Sequence, residues 1–520
     1  MLRNPLEAVD KRSRYSYCRC AMRVVLAGYN VDAAVLEGLK KSSGPREDVT
    51  PETLSASYAR ISRDPRPADK LRAVARAEVA RARRSNETII FKMGHHSVAE
   101  HAVFNFDIIG VSRLAIEEIE RFRLCSFTEK SQRYITLGND FVIPAEIKRA
   151  GKEGLFVRTV RAQNALYHRL LEKLLPHVFE GNREMASDPR KRGTLEGWAK
   201  EDARYAVSLA TEGQLGLTIN ARNLELLIRR FAAKDSAELR RLNGSLYRLA
   251  KKVAPSIILF TDPSDFDAKT YAGVRDEAGD FAARGAGEPG KGTEGRDVRL
   301  VDSTPLGDRK ILAALLHTVS RRTHGECLER AKGMTRPEQE GLVRRVFQHM
   351  EFYDFPLREF EHADLTYALV LSASCFAQLK RHRMATLTCQ DYDPGLGVTI
   401  PPSIREIGAE KEFLEIVGRT EEAHEVLRRK VGRAADYVLT NAHRRRALLK
   451  LNVRELYHVS RLREDATAQW EIRRVSAEMA RLAKKRFPLA TLLLGAKDRY
   501  SEIFRGVFGR PPKVPVPPVF

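Results

Sequence analysis

Five short motifs occur twice in this chain, in the same order. Residues 22–27 (MRVVLA) answer to 298–302 (VRLVD), two short β-rich runs. Glu100-His101-Ala102 answers to Glu361-His362-Ala363, and Arg121-Phe122-Arg123 to Arg381-His382-Arg383. Val142-Ile143-Pro144 answers to Thr399-Ile400-Pro401, and Asn220-Ala221-Arg222 to Asn452-Val453-Arg454. The last four pairs are separated by 261, 260, 257 and 232 residues, measured on Glu100, Arg121, Pro144 and Asn220. Constant order with slow drift is the mark of a tandem duplication, and the period is far too long for a solenoid. The fold must therefore be one that a chain can build twice.

This reading divides the 520 residues into a first repeat (1–275), a flexible Gly/Ala-rich linker (276–298), a second repeat (299–510) and a Pro-rich tail (511–520), an extended polyproline-like arm. Each repeat begins with a short strand. Helical stretches follow, such as 68–84, with Ala and Arg at helical spacing. A buried or alternating strand comes next, at 103–109 and 365–371, and then a helix runs into the Arg-x-Arg element. A long helix closes each repeat. In the second, Ile472, Val475, Met479 and Leu482 form one apolar stripe, with Pro488 past its end. The fold class is α+β, a mixed sheet with long helices, present in two copies.

Composition narrows the function. The apolar fraction is 43% and the charged fraction 30%, ordinary for a globular protein. Lys plus Arg number 90 against 68 Asp plus Glu, a net charge of +22 that suits nucleic acid, a polyanionic surface or a phosphorylated small molecule. No apolar run reaches the ~18 residues of a membrane span, and no apolar segment follows the first residues as a secretory signal requires. The six cysteines form no CxxC pair, which argues against a disulfide framework or a zinc ribbon. A cytoplasmic location is expected. His95, His96, Glu100 and His101 match no zinc spacing, so no metal is expected. Glu100-His101 reads as a buried, hydrogen-bonded pair, Trp470 as core packing, and the basic runs at 321–322, 444–446 and 484–486 as solvated helix faces.

The densest polar cluster is RFRLCSFTEKSQRY at 121–134. In an extended segment Glu129, Ser131 and Arg133 fall on one face. Arg offers a planar fork for phosphate, Ser a hydroxyl and Glu an acceptor, a set that suits a mononucleotide. A solvated charged loop is the other reading of the same residues.

The spacing Arg121-x-Arg123, seven residues, Ser131-x-Arg133 resembles the signature of flavin-dependent thymidylate synthases. So do KMGHHSVAEH at 92–101, GVSR at 110–113, FVIP at 141–144 and TINARNLE at 218–225. QLKRHR at 378–383, LNVRELYHVSRLR at 451–463 and AQWEI at 468–472 extend the resemblance through the second repeat. The resemblance implies dTMP synthesis from dUMP, with methylenetetrahydrofolate as carbon donor and FAD, reduced by NADPH, as hydride source. It requires no cysteine nucleophile. It also implies a tetramer whose sites are built across two chains.

Carried over by resemblance, the first repeat keeps the strip Glu129, Ser131 and Arg133 and a phosphate-binding Arg204, but has Glu118, Arg121-Phe122-Arg123 and Phe231 where the partner set should be. The second repeat keeps Gln378, Arg381, His382, Arg383 and the pyrimidine-facing, catalytic Arg463. Its strip has become Cys389, Asp391 and Asp393, and its phosphate arginine Asp436. The losses are complementary: Gln378, Arg381 and Arg463 with Glu129, Ser131, Arg133 and Arg204 make one complete dUMP set, while the opposite set would face a phosphate dianion with three carboxylates. The resemblance places FAD at His95, Ser97, Asn220, Arg222, Arg381, His382, Arg383, Asn452, Arg454 and His458. The second repeat has Pro356 and Arg358 where the first has His95 and Ser97. A homodimer of the tandem chain would mimic the tetramer. The competing readings are a non-catalytic relic that still binds FAD and a basic nucleic-acid-binding protein; no nucleic-acid module is present in the sequence.

Overall fold

The protein is described by a computed structural model over residues 22–41, 47–283 and 297–517. Two antiparallel sheets of four strands each carry the duplication among these residues. The first comprises β1 (Arg23–Tyr29), β2 (Val103–Ser112), β3 (Cys125–Glu129) and β4 (Glu212–Asn220), in the order β1-β2-β4-β3. The second comprises β5 (Val298–Ser303), β6 (Asp364–Ser372), β7 (Thr386–Cys389) and β8 (Arg444–Asn452), in the order β5-β6-β8-β7.

Strand register reproduces the drift of the sequence motifs. Val103 pairs with Asn220 as Asp364 does with Asn452, and Ser112 pairs with Glu212 as Ser372 does with Arg444. Between these ends β2 has ten residues and β6 nine. The extra residue is a bulge at Gly110, where the register shifts and φ is +73°. Glycine takes that conformation without steric penalty. This bulge accounts for the fall in separation from 261 to 260 residues between the first two motifs.

Alternation builds both cores. Phe104, Phe106 and Ile108 point inward from β2 while Asn105 and Asp107 face out; Leu365, Tyr367, Leu369 and Leu371 point inward from β6. In the helix Trp470–Arg486, Ile472, Val475 and Met479 are buried as expected, Leu482 is half-buried, and Ala483 completes the stripe.

The compact units are not the two repeats. One unit comprises residues 1–165, 207–284 and 422–439; the other comprises 166–206, 285–421 and 440–520. Residues 166–206 of the first repeat thus belong with the second sheet, and 422–439 of the second repeat belong with the first. Backbone pairing fixes each exchanged segment: Leu209 N–H donates to Leu439 O (2.7 Å) in the first unit, and Ala442 N–H to Tyr205 O (3.1 Å) in the second.

A matching carboxylate clamp joins the repeats inside each unit. Glu238 accepts from Ser112 N–H and hydroxyl (both 2.7 Å) and from the Tyr437 hydroxyl at 2.6 Å. Glu471 accepts from the Ser372 hydroxyl (2.5 Å) and the Tyr205 hydroxyl (2.6 Å). Both serines also cap the helix that follows them, through Ala115 N–H and Cys375 N–H.

Four local expectations are corrected. The linker was expected over 276–298, but the helix Asp265–Ala283 fills its start and β5 begins at Val298; residues 284–296 lie outside the described set. Ser264 and Asp267, which exchange hydrogen bonds across the first turn, and the Lys269–Asp265 ion pair support that helix. The stretch 68–84 is two helices, Ala68–Ala77 and Val79–Asn86, broken at the non-helical Glu78 (φ −126°, ψ 61°). The tail is not a free arm over 511–517: Lys513 and Val514 N–H both donate to Glu351 (3.1 Å each), and Pro512 is buried. Residues 444–446 open strand β8 rather than cover a helix. Arg445 is buried there between the rings of Phe376 (4.6 Å) and Tyr392 (4.3 Å). The runs 321–322 and 484–486 are solvent-exposed.

Candidate functional site

In the second unit two helix ends bring the polar set together. The helix Ala373–Leu379 carries Gln378 and delivers the chain into Arg381-His382-Arg383. The helix Val453–Arg463, capped by Asn452, presents Arg463 from its last turn. Arg463 Nε donates to His382 Nε2 (2.9 Å) and Arg463 Nη1 to Gln378 Oε1 (3.2 Å). The guanidinium is held from two sides.

Because His382 Nε2 accepts from arginine, its imidazole is neutral and carries its proton on Nδ1. Burial, reinforced by the Arg463 charge, pushes its pKa down to about 3. Nδ1 has no hydrogen-bond partner; the nearest carboxylate oxygen, on Glu455, is 3.7 Å away. Burial raises the Glu455 carboxyl and lowers the His458 imidazole. His458 lies edge-on to His382 (5.3 Å) and beside Phe355 (5.6 Å). Arg454 reaches Pro356 O (2.8 Å) and Glu361 (3.2 Å), and Arg381 and Arg383 flank the cluster half-buried.

Arg204 belongs to this same unit, although it comes from the first repeat. It is 5% exposed in the short turn Arg204–Ala206, and its carbonyl accepts from Asn441 Nδ2 (3.0 Å).

The first unit shows what the equivalent positions become when the set is lost. Phe122 and Phe231 meet edge to face at 5.7 Å, where the second unit has His382 and Arg463. Glu118, at the position of Gln378, pairs with Lys234 (2.9 Å) and Arg121 (3.3 Å). Burial would raise its carboxyl, but Arg121 and Lys234 outweigh that and hold it below the ordinary range. Asp436, at the position of Arg204, pairs with His424 (3.0 Å) and Arg428 (3.4 Å).

The strip Glu129, Ser131 and Arg133 lies in the first unit and does not continue as an extended face. β3 ends at Glu129, opposite Leu215, and residues 132–134 turn. Ser131 Oγ accepts from Arg133 N–H (3.1 Å), a side-chain turn that takes the chain out of the strand. Close by, Lys130, Asp140 and Glu212 border a cavity of about 50 Å³, room for water only. In the second repeat Cys389 ends β7 opposite Ala447, and Asp393 accepts from Gly395 N–H (2.9 Å) and pairs with Arg446 (3.4 Å).

Among the positions expected to meet FAD, Asn220 and Asn452 cap helices by accepting from Asn223 N–H (3.0 Å) and Glu455 N–H (2.8 Å). Arg222 pairs with Glu100 (2.5 Å), as Arg454 does with Glu361. Glu100-His101 is therefore not a buried pair: Glu100 engages Arg222, and His101 is exposed against Tyr58 (4.7 Å). His95 and Ser97 are exposed, with His95 Nε2 at 3.3 Å from Arg63. Trp470 is more than packing, since its indole N–H donates to Asp202 (2.9 Å). The sequence reading passed over Tyr205 and Tyr437. Their recurrence at the 232-residue separation of Arg204 and Asp436 was the available signal. Among the described residues no group of three or more His, Cys, Asp or Glu is arranged to hold a metal ion, and no helix is long and apolar enough to cross a membrane.

The family model Thy1, thymidylate synthase complementing protein, matches residues 47–256 and again 299–489. A flavin-dependent thymidylate synthase of Clostridium tetani is 31% identical over 179 residues, covering 34% of this chain and 69% of that one. A UPF0159 protein of Thermoplasma acidophilum is 24% identical over 432 residues, covering 75% of this chain and 84% of its own length. Among solved structures, that of a flavin-dependent thymidylate synthase from Helicobacter pylori, complexed with FAD and dUMP, aligns with a TM-score of 0.30 at 16% identity, over 46% of this chain and 99% of that one.

Proposed function

As the chain belongs to the Thy1 family in two tandem copies, and so is an enzyme of the methyltransferase class with FAD as cofactor, we propose that it converts dUMP to dTMP with methylenetetrahydrofolate and NADPH, through one nucleotide site assembled from both repeats. The observation that carries this reading is the Gln378–Arg463–His382 chain of hydrogen bonds, intact in the unit that also holds Arg204 and replaced by Phe122–Phe231 in the other.

The residues of the second unit fit a flavin. His382 carries a buried Nδ1–H donor with no partner in hydrogen-bond range, Arg381 and Arg383 flank it in the chain, and Arg454 lies over Phe355 in the same unit (5.7 Å), three guanidinium groups suited to a pyrophosphate. His458 and Phe355 offer ring faces. The bound, reduced flavin supplies the hydride. The chain's own residues bind and polarise. Arg463 holds a permanent positive charge where the pyrimidine gains negative charge, and Gln378 and His382 fix its direction beforehand. Neutral His382 leaves that charge undiluted. Arg204 takes the nucleotide phosphate. Glu129, Ser131 and Arg133 complete the set on the complementary residue losses alone. Association of two chains belongs to the same proposal, with the mass in solution as its check.

Purified protein is expected to be yellow, and to release tritium from 5-tritiated dUMP when given methylenetetrahydrofolate and NADPH. A colourless chain that FAD cannot reconstitute defeats the proposal. Flavin binding without tritium release favours the relic instead.

A further inference from the structure

We propose that Asp202 is a positioning residue for Arg204, acting through Trp470 and Ser403 to fix the phosphate-binding guanidinium of the first repeat onto the second unit. This rests on the nucleotide reading given above.

Asp202 lies at the end of the helix Arg192–Ala203, one turn edge before Arg204. Its Oδ1 accepts from the Trp470 indole N–H (2.9 Å) and its Oδ2 from the Ser403 hydroxyl (2.6 Å). Both donors come from the second repeat. On the other side of Arg204, the Tyr205 hydroxyl donates to Glu471 (2.6 Å) and accepts from Gln469 Nε2 (2.7 Å). The Tyr205 ring stacks on Trp470 at 6.0 Å and 21°. Arg204 is therefore pinned on both flanks.

A carboxylate is a poor choice for stability at this place. It is half-buried, it faces the negative end of its own helix, and Glu201 is beside it. Burial raises its pKa to about 7. A group kept at such a disadvantage calls for a function.

The duplication supplies an internal control. At the 232-residue separation, Asp202 becomes Ala434, Arg204 becomes Asp436 and Tyr205 becomes Tyr437. Trp470 corresponds to Ala237 at the 233-residue separation of Glu471 from Glu238, and Ser403 to Glu146 at the 257-residue separation of Pro401 from Pro144. The tyrosine clamp survives in both units, so it serves the fold. The Asp202–Trp470–Ser403 strap survives only beside an arginine, so it tracks phosphate binding rather than packing.

The test uses the full FAD-loaded chain, with dUMP affinity by calorimetry and steady-state kinetics. Asp202→Ala and Trp470→Phe are expected to raise the dUMP Kd and KM about tenfold or more, with kcat at saturating dUMP within about threefold and the NADPH KM unchanged. Asp202→Asn, which keeps an acceptor for the indole, is expected to stay within about threefold of the parent. Ser403→Ala gives a smaller rise of the same kind and stands in if Asp202→Ala does not fold. A parent that binds dUMP and turns over while the folded variants bind it equally well overturns this inference and leaves the functional reading standing. Equal losses in kcat and in NADPH KM show general loosening and also overturn it. A parent that binds no dUMP removes both.

Discussion

Phe122 and Phe231 touch edge to face in the first unit at the two positions where His382 and Arg463 share a 2.9 Å hydrogen bond in the second. The exchange is concerted. One aromatic alone would leave the buried His382 imidazole without its guanidinium donor, or half-buried Arg463 without its imidazole acceptor, which costs more than replacing both.

Arg463→Ala is expected to lower kcat for tritium release by about 10²–10³-fold, with a loss of about 1–3 kcal/mol in unfolding free energy because buried His382 Nε2 is left without its donor. Phe231→Ala is expected to weigh on stability alone. It opens a cavity in a core position 1% exposed and lowers unfolding free energy by about 3–5 kcal/mol, with little change in turnover below the melting point. The two variants, compared by kinetics and thermal unfolding, tell a working cleft from a filled one.

Ser131→Ala and Asp391→Ala separate the two strips. The first removes a hydroxyl assigned to the nucleotide and is expected to weaken dUMP binding about tenfold or more. The second alters the degenerate strip and is expected to leave binding within about twofold. Equal tolerance of both in calorimetric titration contradicts the composite site.

His382 carries a pH signature. Its folded pKa is about 3 against an ordinary 6.5. Between these values the unfolded chain binds a proton that the folded chain refuses. This contribution to stability is thus full above pH 6.5 and is lost as pH falls towards 3. His382→Gln is expected to flatten the acid limb of the melting-temperature profile in that window. The imidazole C2 proton of His382 is expected not to shift in NMR spectra between about pH 5 and 8.

The tyrosine clamps give matched tests of the fold. Tyr205→Phe and Tyr437→Phe each leave a buried glutamate, Glu471 or Glu238, without one donor. Each is expected to cost about 1–3 kcal/mol in denaturant unfolding. If only one of them costs stability, the clamps are not equivalent.

Local pattern made much of the fold legible. Alternation marked β2 and β6, whereas the one-residue slip between motif separations was not read as a bulge until the register placed it at Gly110. The Arg463 cluster followed from motif resemblance. What stayed hidden depended on contacts distant in sequence. Nothing in 166–206 or 422–439 announces which sheet each segment joins, because amphipathic helices pack equally well on either. Ser131 reads as a strand residue until its hydroxyl captures Arg133 N–H. Arg445 reads as solvent-facing until Phe376 and Tyr392 close over its guanidinium. Asp202 became visible only beside Trp470.

The traded segments have a genetic corollary. A chain severed between residues 284 and 296 would yield two fragments, each lacking a limb that completes its own interior. Neither fragment is a smaller version of the whole. The first copy cannot be pruned away, because its sibling leans on residues 166–206 for its own shape, and the lineage remains bound to carry both halves.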